Sequence, residues 1–187
     1  CECPVCKQNV YNINKEIIKP KKQNEYRILA LDQASHCTGY AIFDGSKLIH
    51  YGLFTTTEQD EVARFLELKR WLLSIIENWK PDLIGIEGIQ YQPNMGVTTF
   101  QTLARLQGIL MCQCLELQIP YTICPTPTWR AHCQVKGKTR SDKKRSMQLL
   151  VKQWFDVSVA DDIADAIGIG KYVADTNQKK HEIISWE

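Results

Sequence analysis

No run of apolar residues in this 187-residue chain approaches the roughly 18 that a membrane-spanning helix needs. The first residues do not read as a signal peptide, since the charged, apolar and small-residue regions of one are missing. There is no large excess of either charge: the net charge is +2, so a uniformly basic or acidic protein is excluded. Four histidines are too few and too scattered for a histidine metal site, and only His36, close to Asp32, is a candidate helper. No internal repeat occurs, which sets aside solenoids and propellers. A soluble, intracellular, cytoplasmic protein without membrane partners is expected. A start at Cys1 rather than Met leads to the expectation of missing upstream residues.

What the chain does have is acid at the ends of apolar runs. Arg27-Ile28-Leu29-Ala30-Leu31 closes on Asp32, Leu83-Ile84-Gly85-Ile86 closes on Glu87, and a late segment reads Asp161-Asp162-Ile163-Ala164-Asp165. A carboxylate at the end of a buried strand is costly unless a cation neutralises it. Hard divalent ions, Mg²⁺ above all, prefer such oxygen ligands, and a pair of them can clamp the attacking and leaving oxygens of a phosphodiester. The pattern points to a metal-dependent nuclease.

The order of periodic segments is β-β-β-α-β-α-β-α-α, a mixed sheet flanked by helices and an α/β fold. Strands are expected at 27–32, 38–44, 47–57, 83–87 and 119–124, the first three as an antiparallel meander with Asp44-Gly45 as a turn. Helices are expected at 60–79, 101–117, 141–155 and 159–174, with a short one around Trp129. In the first helix Val62, Phe65, Leu66, Leu72, Leu73, Ile76 and Trp79 form the apolar stripe, and Thr57 with Asp60 offers a capping box. If the first and fourth strands are parallel neighbours, Asp32 and Glu87 lie side by side at the carboxyl edge of the sheet. Spacing alone leaves both Asp161 and Asp162 open as partners of Asp165, being four and three residues from it, and Ser158-x-x-Asp161 has the form of a cap.

Eight cysteines in an intracellular chain imply thiols or a metal rather than disulfides. Cys37, Cys112, Cys114, Cys124 and Cys133 lie in or beside apolar segments and read as structural. Cys3-x-x-Cys6 has the spacing of half a zinc knuckle, a candidate structural Zn²⁺ site, although no second knuckle follows. Residues 1–25 read as a cysteine-bearing extension and tether, 26–176 as the folded domain and 177–187 as a tail. Positive charge gathers at Lys136, Lys138, Arg140, Lys143, Lys144 and Arg145 against the single Asp142, with Arg130 just before. Lying between the last strand and the acidic helix, this segment suits DNA phosphates, and Lys136, Lys138, Arg140, Lys143 and Lys144, with Arg130 but without Arg145, are the candidate contacts.

Leu31-Asp32-Gln33-Ala34-Ser35-His36-Cys37-Thr38-Gly39-Tyr40 resembles the opening Asp-Pro-Gly-Ser-x-x-Thr-Gly-Tyr of the RuvC family of Holliday junction resolvases. Ile86-Glu87 resembles the strand-end glutamate of that family, and Asp162-Ile163-Ala164-Asp165-Ala166 its closing Asp-x-x-Asp-Ala. The resemblance spans 27–174. It implies an RNase H-like fold with a five-stranded mixed sheet, a homodimer, and Asp32, Glu87, Asp162 and Asp165 as catalytic ligands of two Mg²⁺ ions, with Mn²⁺ as a substitute. The implied reaction is paired nicking of four-way junctions and other branched DNA, leaving 5′-phosphate and 3′-hydroxyl ends. The cysteine extension resembles phage or mobile-element variants, so the setting is a bacterium or a phage-infected host cell. Gln33 and Ala34 replace the Pro and Gly of the family, which predicts a differently shaped turn. Gln90 stands where the family often has an aromatic wedge, and the adjacent Tyr91 is the candidate to stack on an unpaired base. Rival readings are an RNase H acting on RNA–DNA hybrids, a non-catalytic branched-DNA-binding protein, and an actin-like ATPase, which needs a second phosphate motif.

Overall fold

The computed structural model describes residues 26–91 and 95–184; Cys3 and Cys6 lie outside them. The elements are β1 (Arg27–Asp32), β2 (Cys37–Asp44), β3 (Lys47–Thr55), α1 (Glu61–Trp79), β4 (Leu83–Gly88), α2 (Val97–Glu116), β5 (Tyr121–Pro125), α3 (Thr126–His132), α4 (Arg140–Phe155) and α5 (Asp161–Ile184). They form a five-stranded sheet in the order β3-β2-β1-β4-β5. The β1-β2-β3 meander is antiparallel, while β1–β4 and β4–β5 are parallel. This is the mixed sheet and the strand neighbourhood expected from the sequence. No described helix is long and apolar enough to cross a membrane.

Because β1 is central, both of its faces are covered, which is why it reads as a continuous apolar run. Leu29 and Leu31 enter a core with Leu68, Leu72, Leu106 and Leu110 of α1 and α2. Ile28 and Ala30 enter a second core with Ile167, Ile169 and Val173 of α5 and with Trp129 and Met147. At its start, Arg27 is buried and fully engaged: Nε and Nη2 donate to Asp44 at 2.6 and 3.0 Å, and Nη1 donates to the Trp79 carbonyl at 2.9 Å.

Helix ends depart from expectation where capping chemistry had competing solutions. Asp60 itself caps α1 by accepting from the Ala63 N–H at 2.9 Å, so Thr57 is not the cap. The buried line of α1 runs through Phe65, Leu68, Leu72, Ile75 and Ile76, leaving Val62 and Leu66 exposed beside it. A capping box does form on α4, between Thr139 and Asp142. Helix α5 begins at Asp161, so Asp161 lies inside its first turn rather than closing a box with Ser158, and the helix runs to Ile184, past the end expected at Ala174. Of the cysteines read as structural, Cys114, Cys124 and Cys133 are buried, whereas Cys112 is exposed and Cys37 half-buried.

Candidate active site

Alternation along β1 sends Ile28 and Ala30 to the α5 face, and Asp32 follows them. On β4 a Cβ at Gly85 would press on Val173 and Ile169 of α5, so that face also receives Glu87 two residues later. The parallel register pairs Leu31 with Ile86, and the next rung sets Asp32 beside Glu87. Helix α5 then delivers Asp162 and Asp165 from its first turns. Its approach depends on Gly39, the partner of Asp32 across β1–β2, because a Cβ there would overlap the backbone carbonyl of Asp162. The four acids therefore meet at one edge of the sheet.

Three of the acids also have a holder. Glu87 Oε1 accepts from Thr126 Oγ1 at 2.9 Å and from Trp129 Nε1 at 3.1 Å. Asp165, only 6% exposed, accepts from Arg130 Nη2 at 2.9 Å. Asp162 has the Cys37 thiol at 3.5 Å from Oδ2 and Lys144 Nζ at 3.7 Å from Oδ1, while Lys144 bonds Asp161 directly. Asp161 is thus a partner of Lys144.

The electrostatics are those of crowded negative charge. Burial pushes the Asp32 carboxyl well above the usual range, and Glu87, Asp165 and Asp162 push it further. Asp32 itself is half-buried. Burial raises Asp165 to about 6 and Glu87 adds to that, against the opposing pull of Arg130. Burial depresses Lys144, yet Asp161 and Asp162 more than offset it and its pKa is raised.

Among the described residues, no three His, Cys, Asp or Glu side chains converge closely enough to grip an ion as they stand. Arg130 and Lys144 draw Asp165 and Asp162 towards themselves, and Thr126 and Trp129 hold one oxygen of Glu87. The donor chemistry nevertheless fits a hard divalent cation: four carboxylates from three elements, one of them raised by burial and by its anionic neighbours.

Of the basic residues read as DNA contacts, Arg130 and Lys144 thus lie against the acids. Lys136, Lys138 and Arg140 are exposed on the loop before α4 and at its start, and Lys143 is half-buried. Tyr91 is 56% exposed and edge-on to Phe100, with ring centroids 5.5 Å apart. His36 is exposed. Thr126 and Trp129 were not singled out from sequence, although the parallel pairing of Gly88 with Pro125 places α3 directly above Glu87. The turn expected to differ from the usual Pro-Gly is closed by Thr38 Oγ1, which donates to the Ala34 carbonyl at 2.9 Å, and neither Gln33 nor Ala34 needs a positive φ.

Residues 28–171 match the family described as Crossover junction endodeoxyribonuclease RuvC. The chain belongs to the RuvC family. Its RuvC relatives include that of Petrotoga mobilis, 31% identical over 150 residues covering 75% of this chain and 88% of the relative. The RuvC of Caldicellulosiruptor saccharolyticus is 28% identical over 153 residues, 76% of this chain and 89% of the relative. In fold, the chain is similar to T. thermophilus RuvC in complex with Holliday junction substrate, with a TM-score of 0.65 at 14% identity, covering 79% of this chain and 91% of that one. It is also similar to the yeast mitochondrial Holliday junction resolvase Ydc2, with a TM-score of 0.57 at 14% identity, covering 86% and 82%. The fold is RNase H-like, and membership of the RuvC family implies an endodeoxyribonuclease dependent on a divalent metal.

Proposed function

We propose that this RuvC-family chain resolves Holliday junctions, and that Asp32, Glu87, Asp162 and Asp165 are its catalytic acids. One observation carries the assignment: acids from β1, β4 and α5 share one sheet edge, where burial and their mutual repulsion raise the proton affinity of Asp32. These residues would hold two Mg²⁺ ions, or Mn²⁺ in their place. Bound metal supplies a nucleophile at neutral pH and stabilises the departing oxygen of the phosphodiester.

The remaining roles belong to the chain itself. Thr126 and Trp129 orient the Glu87 carboxylate through Oε1. Arg130 and Lys144, already beside the acids, meet the scissile phosphate there. Lys136, Lys138, Arg140 and Lys143 contact flanking phosphates and read no sequence. Tyr91, exposed near the start of the β4–α2 connection, stacks on an unpaired base. Resolution requires a nick on each of two strands, so the working unit is a homodimer. The exposed Val62 and Leu66 of α1, four residues apart on one face, support such an apolar association surface.

The deciding experiment is cleavage of a synthetic four-way junction in Mg²⁺. Glu87→Gln and Asp162→Asn should each abolish nicking while junction binding persists. Near-normal nicking by either variant would overturn the assignment.

A further inference from the structure

Between Asp32 and Gly39 the chain turns from β1 into β2, and two side chains of this turn reach the other acid-bearing elements. Gln33, only 5% exposed, directs Nε2 to the backbone carbonyl of Glu87 at 2.7 Å. The regular β1–β4 pairing ends at Leu31–Ile86. The amide of Gln33 therefore supplies, through a side chain, a tie between the two strands at the rung that carries Asp32 and Glu87. Its Oε1 is buried with no hydrogen-bond partner among the described residues, so the amide is anchored by the Nε2 end alone. Four residues on, the Cys37 thiol lies 3.5 Å from Asp162 Oδ2, while Lys144 approaches the other oxygen of the same carboxylate.

We propose that Gln33 and Cys37 are positioning residues that together gauge the spacing of the acid cluster, Gln33 by tying Glu87 to Asp32 and Cys37 by aiming the Asp162 carboxylate. This inference rests on the proposed role of the four acids as metal ligands. The tie from Gln33 acts on a backbone carbonyl, which fixes where β4 stands without occupying either oxygen of Glu87. The hydrogen bond from Cys37 acts on a carboxylate oxygen, fixing its rotation against the pull of Lys144. Thr38 makes the turn stiff enough to transmit both, since its hydroxyl closes on Ala34. Partners that orient ligands in this way commonly govern metal affinity by about 10- to 100-fold. A purely structural role would lower stability and leave the affinity of the folded protein for metal as it was.

The test is Mn²⁺ binding by the full chain, read from the electron paramagnetic resonance signal of the free ion and therefore independent of cleavage. Gln33→Ala and Cys37→Ala should each weaken Mn²⁺ binding about tenfold, and the metal concentration for half-maximal nicking should rise in step. Cys37→Ser, which keeps a donor at that place, should restore affinity close to that of the wild type. If Gln33→Ala does not fold, Gln33→Met, similar in shape but without the amide, decides the matter. Folded variants that bind Mn²⁺ like the wild type would overturn the inference alone. A wild-type chain that binds no Mn²⁺ would overturn the functional reading and, with it, this one.

Discussion

Strand β1 carries a charged residue at each end, and the two are treated in opposite ways. At its start the guanidinium of Arg27 is 2% exposed, and its nitrogens meet Asp44 and the Trp79 carbonyl. At its end the half-buried Asp32 lies among Glu87, Asp165 and Asp162, three groups of its own sign. The difference separates two uses of a buried charge. A charge met by its complement fixes a structure, as Arg27 fixes the β1–β2 pair against α1. One set among its like is tolerable only because other forces hold it there, and its chemistry suits a cation. The packing of α5 through Gly39 supplies that force here.

Removing one partner tests the first end most severely. Arg27→Met should cost about 3 to 5 kcal/mol, the usual penalty for leaving a buried counter-charge alone. Chemical denaturation measures it, and the molecules that remain folded should still bind Mn²⁺. The second end should respond to pH. Asp165, with a folded-state pKa of about 6 against an ordinary value of 3.8, binds its proton more tightly when folded. Its contribution to stability is complete below about pH 4 and is lost as the pH rises through about 6, a change on the order of 2 to 3 kcal/mol in metal-free protein. Thermal melts across this window should show the fall, and Asp165→Asn should flatten it.

A smaller effect of opposite sign is expected at Asp32. Asp32→Asn removes a repelled charge, so metal-free protein should gain about 1 kcal/mol, within the ordinary range of point substitutions, while nicking is lost. A loss of stability on this substitution would mean that Asp32 is a satisfied structural group like Arg27. The least effect on folding belongs to Lys136→Ala with Lys138→Ala. These exposed residues should leave stability within about 0.5 kcal/mol but lower the salt slope of DNA binding by roughly 0.9 per lost phosphate contact. An unchanged slope would remove the loop before α4 from the DNA path.

The contrast between the two ends of β1 also marks what a sequence discloses. The central strand and its parallel neighbour were legible because burial on both faces writes an unbroken apolar run, and the terminal acid interrupts it visibly. The choice between Asp161 and Asp162 was not, since three- and four-residue spacings share a helical face and only the docking of α5 on Gly39 and the placement of Lys144 separate them. The short-range capping signals misled at Thr57 and Ser158, where a neighbouring residue solved the same problem. Trp129 and Thr126 were invisible as holders of Glu87 because their relation to it arises across parallel strands. Arg130 and Lys144 were read by charge as phosphate contacts, but their acidic partners lie 35 and 17 residues away along the chain and meet them only in the folded state.

The order in which the acids occur along the chain bears on how the protein is born. Asp32 and Glu87 belong to strands made early, whereas Asp162 and Asp165 belong to the last helix, which packs back onto β1 and β2. A ribosome adding roughly 5 to 20 residues per second therefore releases most of the sheet seconds before the helix that completes the cluster. Throughout that interval the growing polypeptide has only half of its acid set. With the four acids in the catalytic role proposed above, the enzyme would stay harmless while it is being synthesised and become competent when helix α5 docks.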